Sequence, residues 1–203
     1  RFPQGQLDED TGFSKEALLA RNSAVTANNV IIETSRAKPE CAGMGTTVVV
    51  AVFYGDRVAV SHVGDSRMYL LRNEHLSHVT EDHSLIQEQV RRGLLTAEDA
   101  RNSAIKNLVT RALGVEEDVE ADVVELARVG DVYMMCSDGL TDVVPDEAIR
   151  LTMLEHGNNL KASANALIDL ANDAGGPDNI SVILIRVKGS ISRKKGLMSR
   201  LFG

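Results

Sequence analysis

Residues 46–72, TTVVVAVFYGDRVAVSHVGDSRMYLLR, constrain the fold more than any other part of the chain. They hold three runs of β-branched and apolar residues, at 46–53, 58–63 and 67–72. Side chains branched at Cβ are stiff and pack well on a pleated surface, so each run reads as a strand. Gly55-Asp56 separates the first two runs, and Gly64-Asp65-Ser66 the second two. Connections this short return the chain antiparallel, because a parallel crossover needs about a dozen residues or more. The stretch is therefore expected to form an antiparallel meander.

The flanking sequence supplies helices. Residues 1–12 are polar, with the acidic cluster Asp8-Glu9-Asp10, and read as loop. Ser14 is placed as a helix N-cap, and Phe13 with Leu18 has the spacing of a hydrophobic staple. Leu18, Val25 and Ile32 recur every seven residues, which predicts the buried stripe of a helix ending before Pro39. Downstream, residues 83–92 read as helix and 93–107 as polar with little periodicity. Strands are predicted at 120–126 and 131–136, and a helix at 146–156 closed by Gly157. In a further helix over 160–174, Leu160, Ala164, Leu167, Ile168 and Ala171 share one face. Residues 180–187 are apolar on both faces, which predicts a strand inside a sheet covered on both sides. Strands cluster, helices follow, and a strand returns, so the class is α+β with helices outside antiparallel sheets.

No repeat or linker divides residues 1–187, which form one domain. The segment 188–203 differs: Lys188, Arg193, Lys194, Lys195 and Arg200 make it a basic C-terminal tail. Within it Ile191, Met198, Leu201 and Phe202 share a helical face, which suggests weak contact with an anionic membrane or a partner; a solvated tail is the plainer alternative. Net charge is -7, which argues against a nucleic-acid binder driven by phosphate attraction. No apolar run approaches the roughly 20 residues that cross a bilayer. Cys41 and Cys136 give neither a disulfide framework nor zinc spacing, and Cys136 reads as an inert core thiol. Aromatic residues are 3% of the chain and Trp is absent, so aliphatic residues and Met, including Met134-Met135, must build the core. A cytoplasmic location and a monomer are the expectations.

Three aspartates then share one setting. Asp65 sits between two strands, Asp138 follows strand 131–136, and Asp178 precedes strand 180–187. If the last two strands pair antiparallel, Asp138 and Asp178 face each other at one sheet edge. Clustered carboxylates repel and call for a cation, and oxygen-only ligands favour Mg²⁺ or Mn²⁺ over zinc. Carboxylate-held divalent ions typically serve phosphoryl chemistry. Taken singly, each aspartate also fits an ordinary turn.

Six segments in order sharpen this: GMGTTVVV (43–50), HVGDSRMYLL (62–71), TEDHSL (80–85), LVTRALG (108–114), GDVYMMCSDGLTDVV (130–144) and GGPDNISVILI (175–185). Over residues 14–187 the chain resembles a bacterial member of the PPM (type 2C) metal-dependent serine/threonine protein phosphatases. The resemblance implies a four-layer β-sandwich of two antiparallel sheets flanked by α-helices. It also implies two or three Mn²⁺ or Mg²⁺ ions per complete domain, in a cleft where a metal-activated water attacks a phosphomonoester. Asp138 and Asp178 match the ligands of the first metal, and Asp65 matches a ligand of a weaker third one. Gly139 and Asn179 match residues shaping the ligand loops, and 92–107 matches a variable flap. Phosphoserine and phosphothreonine proteins, phosphorylated by a partner kinase, are the implied substrates.

The family's opening Asp-Gly-x-x-Gly-His motif, whose Asp bridges two metals, is not among these residues, so no catalytic residue is assigned. The chain begins with Arg1 and is expected to be inactive without that segment. His62 and His83 read as structural, with His83 also placed to cap a helix or orient the site. Arg111 suits either a phosphopeptide contact or an ion pair. A non-catalytic phosphatase-like binding module and a small-molecule phosphoesterase are the alternative readings.

Overall fold

The computed structural model describes residues 5–96, 99, 108–116, 122–126 and 130–189. Helix α1 spans Lys15–Ala37, and strands β1 to β4 span Val48–Tyr54, Arg57–Val63, Arg67–Arg72 and His75–His78. Helix α2 follows at Leu85–Arg91, then β5 at Asp122–Leu126 and β6 at Val132–Cys136. Helices α3 (Asp138–Thr141), α4 (Asp146–His156) and α5 (Leu160–Asp173) lead to β7, Val182–Arg186.

Two antiparallel sheets result, one ordered β1-β2-β5 and the other β4-β3-β6-β7. The hairpin β1–β2 forms as the turn at Gly55-Asp56 predicts, with Tyr54 opposite Arg57. The expected meander does not continue. After Gly64-Asp65-Ser66 the chain leaves the first sheet, and β3 pairs with β4 and β6 rather than with β2. The reason lies in β3 itself. Met68 and Leu70 pack with Val58, Val60 and Tyr133 between the sheets, while Tyr69 and Leu71 pack the other way, with Leu140, Val144, Ile149, Met153 and Leu167. Between β4 and β6 both apolar faces of β3 are covered, one by the facing sheet and one by the helices. The short strand β4, HLSH, has no apolar run and was not foreseen.

Helices close the outer faces, giving the four layers. Helices α4 and α5 cover the β3–β6 sheet through Ile149, Met153, Leu167 and Ala171. Helix α1 covers the other sheet, packing on Val63, Ala59 and Val48. Ser14 caps α1 as expected, accepting from the Ala17 N–H at 3.0 Å. The buried stripe, however, is Ala17, Ala20, Ala24 and Asn28 rather than Leu18, Val25 and Ile32, which are only half-buried. Small side chains let the helix axis come close to the sheet, so the larger residues end up at its flanks. Phe13 is 42% exposed, so no staple is buried there.

Strand β7 also departs from expectation. It pairs only with β6 among the described residues, and Ile183 is 54% exposed, so its apolar run lies at a sheet edge rather than inside. Most of the 92–107 segment and the tail residues 190–203 lie outside the described residues.

Asn28 joins α1 to the segment leading from Leu113. Its side-chain oxygen accepts from the Gly114 N–H at 2.7 Å, and its amide donates to the Glu116 carbonyl at 2.8 Å. Gly114 has φ +89°, and a Cβ there would strike Ile31 and the Met44 carbonyl, so the chain turns sharply against the helix. Asn28→Leu keeps the volume but strands a buried donor and acceptor. It is expected to cost about 2–4 kcal/mol of stability, read by urea denaturation.

Candidate functional site

The register of β6 assembles the site. Cys136 lies opposite Arg67 of β3 on one side and Val182 of β7 on the other. Asp65 lies two residues before Arg67, Asp138 two after Cys136, and Asp178 four before Val182. All three aspartates therefore stand at the same end of the sheet, and Asp138 faces the Asp178 loop as the antiparallel pairing predicts.

That loop is tied down closely. Ser137 donates from its hydroxyl to the Asn179 carbonyl at 2.9 Å and accepts from the Ser181 N–H at 3.0 Å. A Cβ on Gly139 would overlap the Asn179 carbonyl oxygen, so glycine is what lets the two loops touch. Gly139 and Asn179 thus meet at the loop contact. Asp138 accepts from the Gly139 N–H at 2.9 Å, and Asp178 from the Asn179 N–H at 2.7 Å. These bonds fix each carboxylate through one oxygen.

Electrostatics mark the cluster as cation-seeking. Burial pushes the Asp138 carboxyl above its ordinary value of 3.8, and the nearby Asp142 and Asp178 charges push the same way. Burial likewise raises Asp65, helped by the charge on Asp138. Oxygen-only donors held among like charges fit a hard divalent ion in kind. They fit incompletely in number: among the described residues, no group of three His, Cys, Asp or Glu side chains converges to hold an ion.

Asp65 and Asp138 line a cleft of 780 Å³ that also runs past Asp82, Asp142, Val143 and Asp146. Arg67 forks onto Asp82, with its Nε and one terminal nitrogen 2.8 and 2.6 Å from the two oxygens. It also donates to the Tyr69 hydroxyl at 3.2 Å, and that hydroxyl donates to Asp146 at 3.0 Å. His78 bonds the second Asp146 oxygen at 2.8 Å. The His78 bond outweighs burial, which pushes the other way, and holds the Asp146 carboxyl below its ordinary range.

Sequence reasoning missed Asp142, although it stands four residues after Asp138, the spacing of neighbours on a helix face. It also missed Arg67, Asp82 and Asp146, whose partnership spans β3, the β4–α2 loop and α4. His62 and His83 are buried and stacked, with ring centroids 4.6 Å apart, which suits structural roles. Ser84, not His83, caps α2. Arg111 lies beside Thr110 and Arg91 in a separate 210 Å³ pocket that also touches Asp82. Burial raises the Cys136 thiol to about 12, in keeping with an inert core residue.

Comparison with known proteins agrees with this arrangement. The family model for protein phosphatase 2C matches residues 2–180. The serine/threonine phosphatase stp of Listeria monocytogenes is 42% identical over 159 residues, covering 78% of this chain and 63% of that protein. The chain therefore spans less than two thirds of that curated relative's length. The crystal structure of the Mycobacterium tuberculosis serine/threonine phosphatase PstP/Ppp superposes with a TM-score of 0.80 at 38% identity, over 90% of this chain and 76% of that one. The catalytic domain of a serine/threonine protein phosphatase PstP, solved with two manganese ions, superposes with a TM-score of 0.76 at 36% identity, over 88% of this chain and 74% of that one. With the two-sheet architecture and the carboxylate-lined sheet end in place, the chain belongs to the protein phosphatase 2C family.

Proposed function

We propose that this chain is the larger part of a Mn²⁺- or Mg²⁺-dependent phosphatase that hydrolyses phosphoserine and phosphothreonine in proteins. The observation that carries this reading is the facing pair Asp138 and Asp178, locked by Ser137 and by the Gly139–Asn179 contact, with Asp138 lining the cleft. Family membership and the manganese-bound relative support it.

In this reading Asp138 and Asp178 hold the tighter cation, and Asp65 with Asp138 a weaker one. A bound divalent ion supplies a Lewis acid that lowers the pKa of water and balances charge on the phosphate. The chain's own residues do the rest. The loops on either side of the β6–β7 pair hold the two carboxylates at fixed separation before any ion arrives. The Arg67–Asp82 fork and the Tyr69–Asp146–His78 chain stiffen the cleft wall. The cleft of 780 Å³ has room for a phosphorylated side chain, and proteins phosphorylated by a partner kinase are the proposed substrates. Residues 92–107, most of which lie outside the described residues, are assigned the selection among them on the family resemblance. No helix among the described residues is long and apolar enough to cross a membrane, and a cytoplasmic setting is proposed with the activity.

Asp138→Asn in the full-length protein is expected to lower turnover of p-nitrophenyl phosphate by more than about tenfold at saturating Mn²⁺. Wild-type turnover would remove Asp138 from the ligand set. The same change should stabilise the metal-free protein. A carboxyl whose pKa is raised by folding costs the folded state stability as pH climbs above its ordinary 3.8, and returns it as pH falls. The variant's melting temperature at neutral pH should exceed that of the metal-free wild type, and the gap should close towards pH 4.

Asp65→Ala should leave the tightest Mn²⁺ site intact in calorimetry while lowering turnover. Loss of the tightest site would reassign Asp65. Exchanging residues 92–107 for a relative's segment should change phosphopeptide preference more than the rate on the small aryl phosphate, and equal effects on both would count against a selecting flap.

A further inference from the structure

His83, in the loop between β4 and α2, is 7% exposed and joins three pieces of chain. Its backbone N–H donates to the Gly64 carbonyl at 3.0 Å, and its Nδ1 accepts from the Gly64 N–H at 3.2 Å. Both hydrogen-bonding groups of Gly64 are therefore taken by one residue. On its other side, the His83 carbonyl accepts from the Thr110 N–H at 2.7 Å. The next residue, Ser84, forms a bridge with Val109. Residues 83–84 and 109–110 thus run side by side. The imidazole plane is held by the stack on His62, whose own Nε2 donates to the Glu81 carbonyl at 2.7 Å.

Gly64 is the residue before Asp65, at the point where the chain passes between sheets. It has φ +109°, and a Cβ there would overlap the Thr47 side chain. With no side chain of its own, Gly64 is oriented only through its peptide groups, and His83 holds both. On the far side of the turn Thr47 bonds Ser66 at 2.8 Å. The aim of the Asp65 carboxylate therefore depends on His83. Groups that orient a ligand from behind are worth about 10- to 100-fold in metal affinity.

We propose that His83 is a positioning residue for the cation held by Asp65, and that it ties the placement of Asp65 to the 109–110 segment. This rests on the reading of Asp65 as a ligand. The imidazole is suited to the task because Nδ1 accepts while carrying no proton, the tautomer in which Nε2 bears it. Asparagine presents an acceptor at nearly the same distance from the backbone. Leucine fills the space but leaves the Gly64 N–H buried and unsatisfied.

The test uses the full-length protein, with Mn²⁺ binding by calorimetry and amide exchange at Gly64 as readouts. Asp65→Ala first identifies the site that depends on Asp65. His83→Leu should weaken that site about tenfold, spare the tighter one and speed Gly64 exchange, whereas His83→Asn should restore affinity to within about twofold. A lowered melting temperature alone, shared by both variants, is what a merely structural role would give. Wild-type affinity in His83→Leu, or equal loss in the Asn and Leu variants, would overturn the proposal. Should His83→Leu fail to fold, wild-type Gly64 exchange must slow on saturation with Mn²⁺, and an unchanged rate would overturn it. An Asp65→Ala protein that keeps every Mn²⁺ site would instead overturn the ligand reading itself.

Discussion

The pairing of β6 with β3 and β7 is the constraint on which the molecule turns. Tyr133 of β6 packs between the sheets, and Val132, Met134 and Cys136 pack beneath the helices. A strand buried on both faces has one stable place, inside the sheet, and its register there is fixed because a slip by one residue would exchange its two sets of side chains. With Cys136 opposite both Arg67 and Val182, the residues just beyond the strand ends converge. The same burial that stabilises the core thus gathers Asp65, Asp138 and Asp178.

Gathering them has a cost that the surrounding structure carries. The raised carboxyls of Asp65 and Asp138 show ionised groups held where burial and like charge oppose them. The opposition is offset by fixed backbone and side-chain bonds. Ser137 clamps one loop to the other, and Gly139 removes the Cβ that would keep them apart. Arg67 joins Asp82 in a fork, neutralising one carboxylate of the cleft wall. The chain's own bonds thus hold these carboxylates in place at the expense of local stability.

Departures from the sequence-based expectations share a physical origin. Turn residues announce that the chain reverses, but Gly64-Asp65-Ser66 carries no local signal that the next strand belongs to another sheet. That choice was made by Tyr69 and Leu71, which need a helix layer above them. Periodicity picked out Leu18, Val25 and Ile32 in α1 because they are large, yet Ala17, Ala20 and Ala24 lie innermost because a close helix–sheet approach admits only small side chains. The apolar run of β7 signals strand without distinguishing the middle of a sheet from its edge.

By itself the sequence determined the class of fold, most strand and helix positions, the Ser14 cap and the candidacy of three aspartates at strand ends. These rest on local physics: β-branched runs, turn glycines, helix periodicity and the placement of carboxylates beside apolar segments. Ordered motifs added the family, and with it the four layers. Tertiary structure decided which sheet each strand joined, which face of α1 was buried, and which charged groups became partners. Arg67 and Asp82 are 15 residues apart, and Tyr69 and Asp146 are 77 apart. Their contacts exist because strands buried on both faces have a single register, and no spacing along the chain encodes a distance set by packing between layers.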